Sequence, residues 1–456
     1  MKTVLPFLRT GLILVTLTAL RAADAKRPNL VIFLTDDHSQ LDSSVYGATD
    51  VKTPNMERVA KAGLVFDRAF VASPSCAPSR AAMLTGLVPP RNGAEPNHAR
   101  PRAEIKKLPA YLQELGYEVV AFGKVGHYQQ TSEYGFDLSA HHKYHEDICV
   151  SAGIEWLRAR QSTKPLCLFI GTNWPHVPWP GDTEAPAPAA VKIPVTHVDT
   201  VATREMRARY YAAVSRMDTE LGQVYDAARE VLGPGTFFLT SSDNGAQWPF
   251  AKWNCYEAGV RTPMIAVWPG KIAPGQRTAA MVSWIDILPT LVEVAGGTPP
   301  AGLDGRSFAG VLRDPSSAHR DRIFATHSAD QKMNIYPIRS VRTADWKYIR
   351  NLHPEFEFTT HIDLGKPVDG AGYFASWVEL AKTDPVAASV VKRYHERALE
   401  ELYDLRTDPN ELTNLAARPE HTARLAALRV ELDAWMKANG DTGRVYGEPH
   451  LLKAKP

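Results

Sequence analysis

Two kinds of apolar run alternate along the chain. Residues 30–35 (LVIFLT), 117–122 (YEVVAF), 166–170 (LCLFI), 236–240 (TFFLT) and 262–268 (TPMIAVW) are short and rich in β-branched or aromatic residues. Such runs predict strands buried on both faces. Between them, apolar residues fall at helical spacing over 54–63, 108–115 and 284–295. Met206, Tyr210, Ala213, Met217, Leu221 and Val224 mark one face of a longer helix over 204–230, stopped by Gly233-Pro234-Gly235. Strands alternating with helices predict an α/β fold, a large and mostly parallel sheet sandwiched by helices.

Beyond about residue 305 the pattern changes. Residues 322–326, 338–349 and 401–405 each read as one short strand, and Leu425, Leu428, Leu432, Trp435 and Met436 mark a final helix. This predicts a smaller C-terminal α+β subdomain, residues 306–456, with a short antiparallel sheet. Residues 352–400 are polar and irregular, and periodicity assigns them nothing. The first 25 residues differ again: Lys2 and Arg9 flank a start, residues 11–20 (GLILVTLTAL) are mostly apolar, and Ala23-Asp24-Ala25 is a small-residue exit. That is the layout of a secretory signal peptide. The apolar run is about half of the ~20 residues that span a bilayer. The expectation is export to the periplasm or medium without a permanent membrane anchor, leaving residues 26–305 as the main catalytic domain.

Composition narrows the class. The 456 residues carry 52 Lys plus Arg against 50 Asp plus Glu, a formal charge of +2. No global field for nucleic acid results. Four cysteines are too few for a disulfide scaffold. In an exported chain Cys149 and Cys167 would close a short loop as a disulfide or stay as buried thiols, and packing suffices for Cys255.

Candidate chemistry collects at strand exits, where open α/β sheets bind ligands. Asp36-Asp37, Lys124 to His127, Trp174-Pro175-His176 and Asp243-Asn244 all follow apolar runs. Singly, each has an ordinary reading as a turn or a solvated loop. Together they offer three carboxylates and an amide, ligands suited to Ca²⁺ or Mg²⁺. Cys/His spacing for structural zinc is absent.

Residues 76–86 (CAPSRAAMLTG) resemble the signature of the type I sulfatases of the alkaline phosphatase superfamily, Cys-x-Pro-Ser-Arg followed by a small apolar helix start and Thr-Gly. Residues 27–37 (RPNLVIFLTDD), 53–70, 122–127 (FGKVGH, one residue longer than the usual spacing), 175–178 (PHVP), 242–245 (SDNG), 252–265, 283–296 and 401–415 are similar to further segments of that family, in its order. The resemblance covers about residues 27–350 and 401–416. It implies that Cys76 is oxidised to formylglycine by a formylglycine-generating enzyme. It also implies one divalent cation, Ca²⁺ rather than Mg²⁺, on Asp36, Asp37, Asp243, Asn244 and modified Cys76. The hydrated aldehyde, helped by the cation and Arg80, would attack sulfur and carry the sulfate covalently. Lys124, His176 and Lys252 would neutralise sulfate oxygens, His176 or Lys252 would protonate the leaving group, and His127 would act as the base that expels sulfate.

The SDNG segment with Lys252 eight positions after Asn244, together with residues 92–98 (NGAEPNH), is similar to N-sulfoglucosamine sulfohydrolases. A sulfated saccharide is the implied substrate, with an N-sulfate or an O-sulfate cleaved. His98, Arg100 and Arg102 are candidates to contact an anionic sugar or form a solvated basic loop, and Trp174 and Trp179 to stack on its ring or pack the loop. Two rivals remain: a phosphate or phosphonate monoesterase of the same superfamily, and a glycan-binding protein on a dead scaffold. The second should have lost one of Cys76, Arg80, Asp36, Asp37 or Asp243, and none is missing. A plain Cys-His hydrolase would leave the carboxylates unexplained.

Overall fold

Strand β1 (Leu30–Thr35), buried at all six positions, runs through the larger of two sheets. The computed structural model describes residues 27–141, 148–181 and 185–452. The segment read as a signal peptide lies outside them. The other strands of this sheet are β2 (Leu64–Phe70), β3 (Glu118–Gly123), β4 (Leu138–Ala140), β5 (Leu166–Gly171), β6 (Phe237–Ser242), β7 (Met264–Val267) and β8 (Gln276–Ser283). Their spatial order is β4-β3-β5-β1-β6-β7-β2-β8, and only β7 runs antiparallel to its neighbours. The mostly parallel α/β sheet expected from the alternation is therefore present. The expected long helix is Val201–Leu232, started by the Thr200 side chain accepting from the Thr203 amide.

Register places the chemistry. Leu34 pairs with Gly171, Thr35 with Ser242, and Gly123 with Gly171. The exits of β1, β3, β5 and β6 thus meet at one edge, bringing together Asp36-Asp37, Lys124, the loop to His176, and Asp243-Asn244. The β3 and β5 backbones approach so closely that a Cβ on Gly123 would lie 2.0 Å from the Gly171 carbonyl oxygen. Only glycine fits there. The helix Cys76–Thr85, buried at every residue, brings its first turn to the same edge and ends at Gly86 with φ +67°.

The smaller sheet is antiparallel, in the order β12-β11-β10-β9, from β9 (Ile323–Asp330), β10 (Asn334–Arg342), β11 (Trp346–Asn351) and β12 (Glu400–Asp404). Residues 338–349, expected as one strand, are two. A turn closed by the Thr343 amide donating to the Trp346 carbonyl (2.8 Å) separates them, with no Gly or Pro to announce it. Leu425, Leu428 and Leu432 of the last helix (Thr422–Ala438) pack on Val341, Trp346, Tyr348 and Leu402. The stretch 352–400 holds three helices, His361–Leu364, Ala371–Leu380 and Pro385–His395. Trp377 docks the second on the long helix, its indole N–H donating to Thr203 Oγ1 at 2.7 Å. Cys76, Cys167 and Cys255 are buried free thiols, and with Cys167 unbridged the Cys149–Cys167 disulfide option is closed. Among the described residues, no helix is long and apolar enough to cross a membrane.

Burial pulls the β9 imidazole of His327 down to about 4, against the hydrogen bond its Nε2 donates to the Asn334 side-chain oxygen. Between that value and the ~6.5 of an unfolded histidine, the unfolded chain holds the extra proton. Stability should therefore fall by about 1.4 kcal/mol per pH unit as pH drops through this window. The stability gap between wild type and His327→Gln, measured by urea unfolding, should narrow from pH 7 to pH 4.5. Parallel curves would show that His327 does not carry this linkage.

Candidate active site

Asp36 and Asp37 leave β1 in sequence, and a left-handed backbone at Asp37 (φ +63°) aims the two carboxylates differently. The Asp36 carboxylate receives Lys124 Nζ at 2.6 Å and lies 3.5 Å from an Arg80 nitrogen. That of Asp37 receives Lys252 Nζ at 2.7 Å and Asn244 Nδ2 at 2.7 Å, with His176 Nε2 3.6 Å away. Asp243 accepts from the Asp37 amide at 3.0 Å and from Arg80 Nε at 2.8 Å. The remaining Arg80 donors reach the carbonyls of Thr35 and Lys124. Cys76 Sγ sits among these groups, 3.5 Å from Asp36 Oδ1, 3.7 Å from Asp37 Oδ1 and 3.5 Å from Lys124 Nζ. Every expected metal-ligating residue and every expected catalytic residue except His127 belongs to this bonded cluster.

Electrostatics follow from burial. Burial pushes the Cys76 thiol well above its usual range, although Lys124 and Lys252 pull the other way. It also raises Asp243, despite Arg80. Burial disfavours charge on Lys124 and Lys252, but Asp36 beside the first and Asp37 beside the second hold both above the ordinary lysine value. His127 is pulled well below the usual histidine range by burial, then by Lys124, His98 and Arg80. It is neutral at pH 7. His176 donates from Nδ1 to the Val177 carbonyl at 2.6 Å, which turns Nε2 toward the cluster.

The donor set suits a hard divalent cation. Oxygen or sulfur atoms of Asp36, Cys76 and Asp243 lie within 4.8 Å of one another. Asn244 Oδ1 is buried with no hydrogen-bond partner among the described residues, the condition of a carbonyl ligand awaiting a cation.

A cavity of about 220 Å³ opens over Cys76, His127, His176 and Lys252. His98 lines it, whereas Arg100 and Arg102 do not. Arg100 pairs outward with Glu133 at 2.6 Å and Arg102 with Glu104 at 3.3 Å. Trp174 and Trp179 are buried, and Trp179 stacks on Trp248 at 4.9 Å, so both pack the loop. Sequence reasoning missed Asn97, Gln247, Trp253, Asp330, His361 and Asp369 on the cavity wall. A larger surface groove of about 800 Å³ and a cavity of about 490 Å³ contain none of the clustered residues. Chemistry rather than volume marks the site.

The sulfatase family model matches residues 28–297, more than half of the chain. The chain belongs to the sulfatase family. It is a hydrolase of sulfuric esters or sulfamates. A second model, the C-terminal region of N-sulphoglucosamine sulphohydrolase, matches residues 245–367. An ulvan-active sulfatase of Formosa agariphila is 30% identical, over 92% of this chain and 82% of its own. Human N-sulphoglucosamine sulphohydrolase is 26% identical over 90% of each chain. Among solved structures, a protein in complex with its substrate D-glucosamine-2-N,6-O-disulfate superposes with a TM-score of 0.68 at 19% identity, covering 91% of this chain and 99% of its own. The phosphonate monoester hydrolase of Agrobacterium radiobacter does so with 0.68 at 18%, covering 91% and 96%. Those two likenesses describe the alkaline phosphatase-like fold that this sulfatase shares.

Proposed function

We propose that this sulfatase is exported, uses calcium and a formylglycine at position 76, and releases sulfate from a sulfated saccharide. The observation that carries the reading is the placing of Cys76 among three carboxylates, the Asn244 carbonyl and three cationic side chains at the floor of one cavity. An unmodified thiol pushed upward by burial is a poor nucleophile at neutral pH, which favours an oxygen nucleophile from the oxidised residue. A divalent cation held by Asp36, Asp37, Asp243, Asn244 and residue 76 supplies Lewis-acid stabilisation of negative oxygen.

This chain's own groups do the rest. Arg80 fixes Asp36 and Asp243 in place. The ammonium groups of Lys124 and Lys252 counter the charge of the sulfate oxygens. His176 Nε2 or Lys252 Nζ gives a proton to the leaving group, and His127 accepts one. The cavity is smaller than the ~300–1,000 Å³ of drug-sized sites, which suits one terminal sugar ring. The matches to an N-sulphoglucosamine sulphohydrolase region and to the human enzyme favour an N-sulfated glucosamine. An O-sulfated glycan is the second reading, favoured by the ulvan-active relative.

The test is release of inorganic sulfate and phosphate from N-sulfated, O-sulfated and phosphorylated sugars. It uses protein shown by mass spectrometry to carry the aldehyde at residue 76. Sulfate from a sugar is the expected result, and phosphate alone would overturn it. Chelation with EGTA should lower turnover at least ~100-fold, since a bound cation contributes several kcal/mol to charge stabilisation. Added Ca²⁺ should restore it. Full activity after exhaustive chelation would remove the metal from the reading.

A further inference from the structure

One line of contacts leads from the cavity wall to His127. Asp330, at the end of β9 and 2% exposed, has one carboxylate oxygen saturated. Its Oδ2 accepts from Trp253 Nε1 at 2.8 Å and from Asn97 Nδ2 at 2.9 Å, with His361 Nε2 3.6 Å away. Oδ1 faces His98 Nε2 at 3.3 Å, within reach of charge attraction but outside hydrogen-bond alignment. His98 Nδ1 in turn meets His127 Nε2 at 2.9 Å. His98 adopts φ +67°, a left-handed conformation that is strained for a non-glycine residue. Such strain persists only where surrounding contacts enforce it.

These contacts fix protons. At a pH where both rings are neutral, a hydrogen bond between two imidazoles needs one donor and one acceptor. The Asp330 carboxylate favours a proton on the His98 nitrogen that faces it, Nε2, so His98 Nδ1 carries the lone pair. His127 must then donate from Nε2, which leaves the lone pair on His127 Nδ1. That nitrogen is buried and has no hydrogen-bond partner among the described residues. We propose that Asp330, acting through His98, is a positioning residue that sets the tautomer of His127 and makes its Nδ1 the proton acceptor of the site. The role in turnover rests on the sulfatase reading, whereas the tautomer does not.

Asp330→Asn gives a sharp test because the flanking donors dictate how the amide sits. Trp253 and Asn97 both need an acceptor, so the amide oxygen takes the Oδ2 place and the NH₂ group faces His98. A donor there favours the lone pair on His98 Nε2 and the proton on Nδ1. The His127 proton then moves from Nε2 to Nδ1.

Long-range ¹H–¹⁵N correlation spectra of ¹⁵N-histidine-labelled protein, assigned with His127→Asn, read both tautomers directly. Wild type should show His127 protonated at Nε2, and a folded Asp330→Asn protein should show it at Nδ1. Turnover of a small aryl sulfate should fall about 10²–10⁴-fold in kcat, the range of one general base, with KM within threefold. Wild type protonated at Nδ1 would overturn the proposal without any variant, as would a folded variant with an unchanged tautomer. A flipped tautomer with unchanged kcat would overturn the role in turnover, and a change confined to KM would mark Asp330 as a substrate contact instead. Absence of sulfate release from wild type would defeat the sulfatase reading while leaving the spectra to decide the tautomer.

Discussion

Cys76→Ala should release no measurable sulfate and keep the fold. The sulfur contributes little packing: burial of one small side chain, with the Asp36, Asp37 and Lys124 contacts all at 3.5 Å or more. Loss of a buried group of this size costs about 1 kcal/mol, within reach of a folded enzyme's margin. Catalysis is another matter, because among the described residues no other nucleophile joins the cluster. Ser75 is directed elsewhere, its Oγ 3.4 Å from His327 Nδ1, and Ser79 Oγ is buried without a partner. Removing the proposed nucleophile, and with it the proposed covalent intermediate, would leave only residual catalysis by binding and charge, so a loss of at least ~10⁴-fold is expected. The measurement pairs sulfate release with circular dichroism and urea unfolding of the same preparation. Wild-type turnover would sink the nucleophile assignment. Loss of turnover together with loss of the folded signal would call for Cys76→Ser, which keeps the volume.

The parts of this site that sequence revealed share one property: each follows its strand directly. The apolar run 30–35 matches β1 to the residue, and the next two positions are Asp36 and Asp37. Lys124 and Asp243 likewise stand one residue beyond β3 and β6. Local pattern locates a strand end, and the parallel register then gathers such ends at one edge. Asp330 and His361 have no such signature. Asp330 lies 233 positions from its partner Asn97, in a strand of the other sheet, and His361 opens a four-residue helix in a polar stretch. Contacts of that sequence separation leave no periodic trace. Charge adjacency left two readings open, a sugar contact and a solvated loop. Arg100 and Arg102 sit beside His98 in sequence, and surface carboxylates hold them outward, as in the solvated loop. Strand β2 escaped because Asp67-Arg68 interrupts its apolar run, and β8 because it opens on the polar Gln276-Arg277-Thr278. β4, three residues long and partly exposed, is too short for any alternation to register.

Arg80→Leu should be the most destabilising single change in the site. The guanidinium is fully buried and serves two carboxylates and the carbonyls of Thr35 and Lys124. Asp36, Asp37 and Asp243 face Arg80, Lys124 and Lys252, so the charges balance three against three. Leucine leaves one buried carboxylate uncompensated and takes the guanidinium donor from the Lys124 carbonyl, while the Thr35 carbonyl keeps the Asp243 amide. Breaking a buried pair from one side costs about 3–5 kcal/mol. Arg80→Lys should recover part of that loss, because the charge returns without the planar fork that holds both carboxylates. Chelated and calcium-saturated protein should then respond differently. With EGTA the full deficit appears in urea unfolding, whereas a divalent cation supplies positive charge to the same carboxylates and narrows the gap by binding the folded variant. Calcium affinity should rise in Arg80→Leu even as sulfate release is lost, a separation that a merely misfolded variant would not show. Equal stability of wild type and Arg80→Leu in EGTA would mean that Asp243, already raised by burial, takes up a proton when its partner is removed. In that case the deficit should emerge only as pH is raised, when the carboxylate is forced to ionise beside Asp36 without its guanidinium.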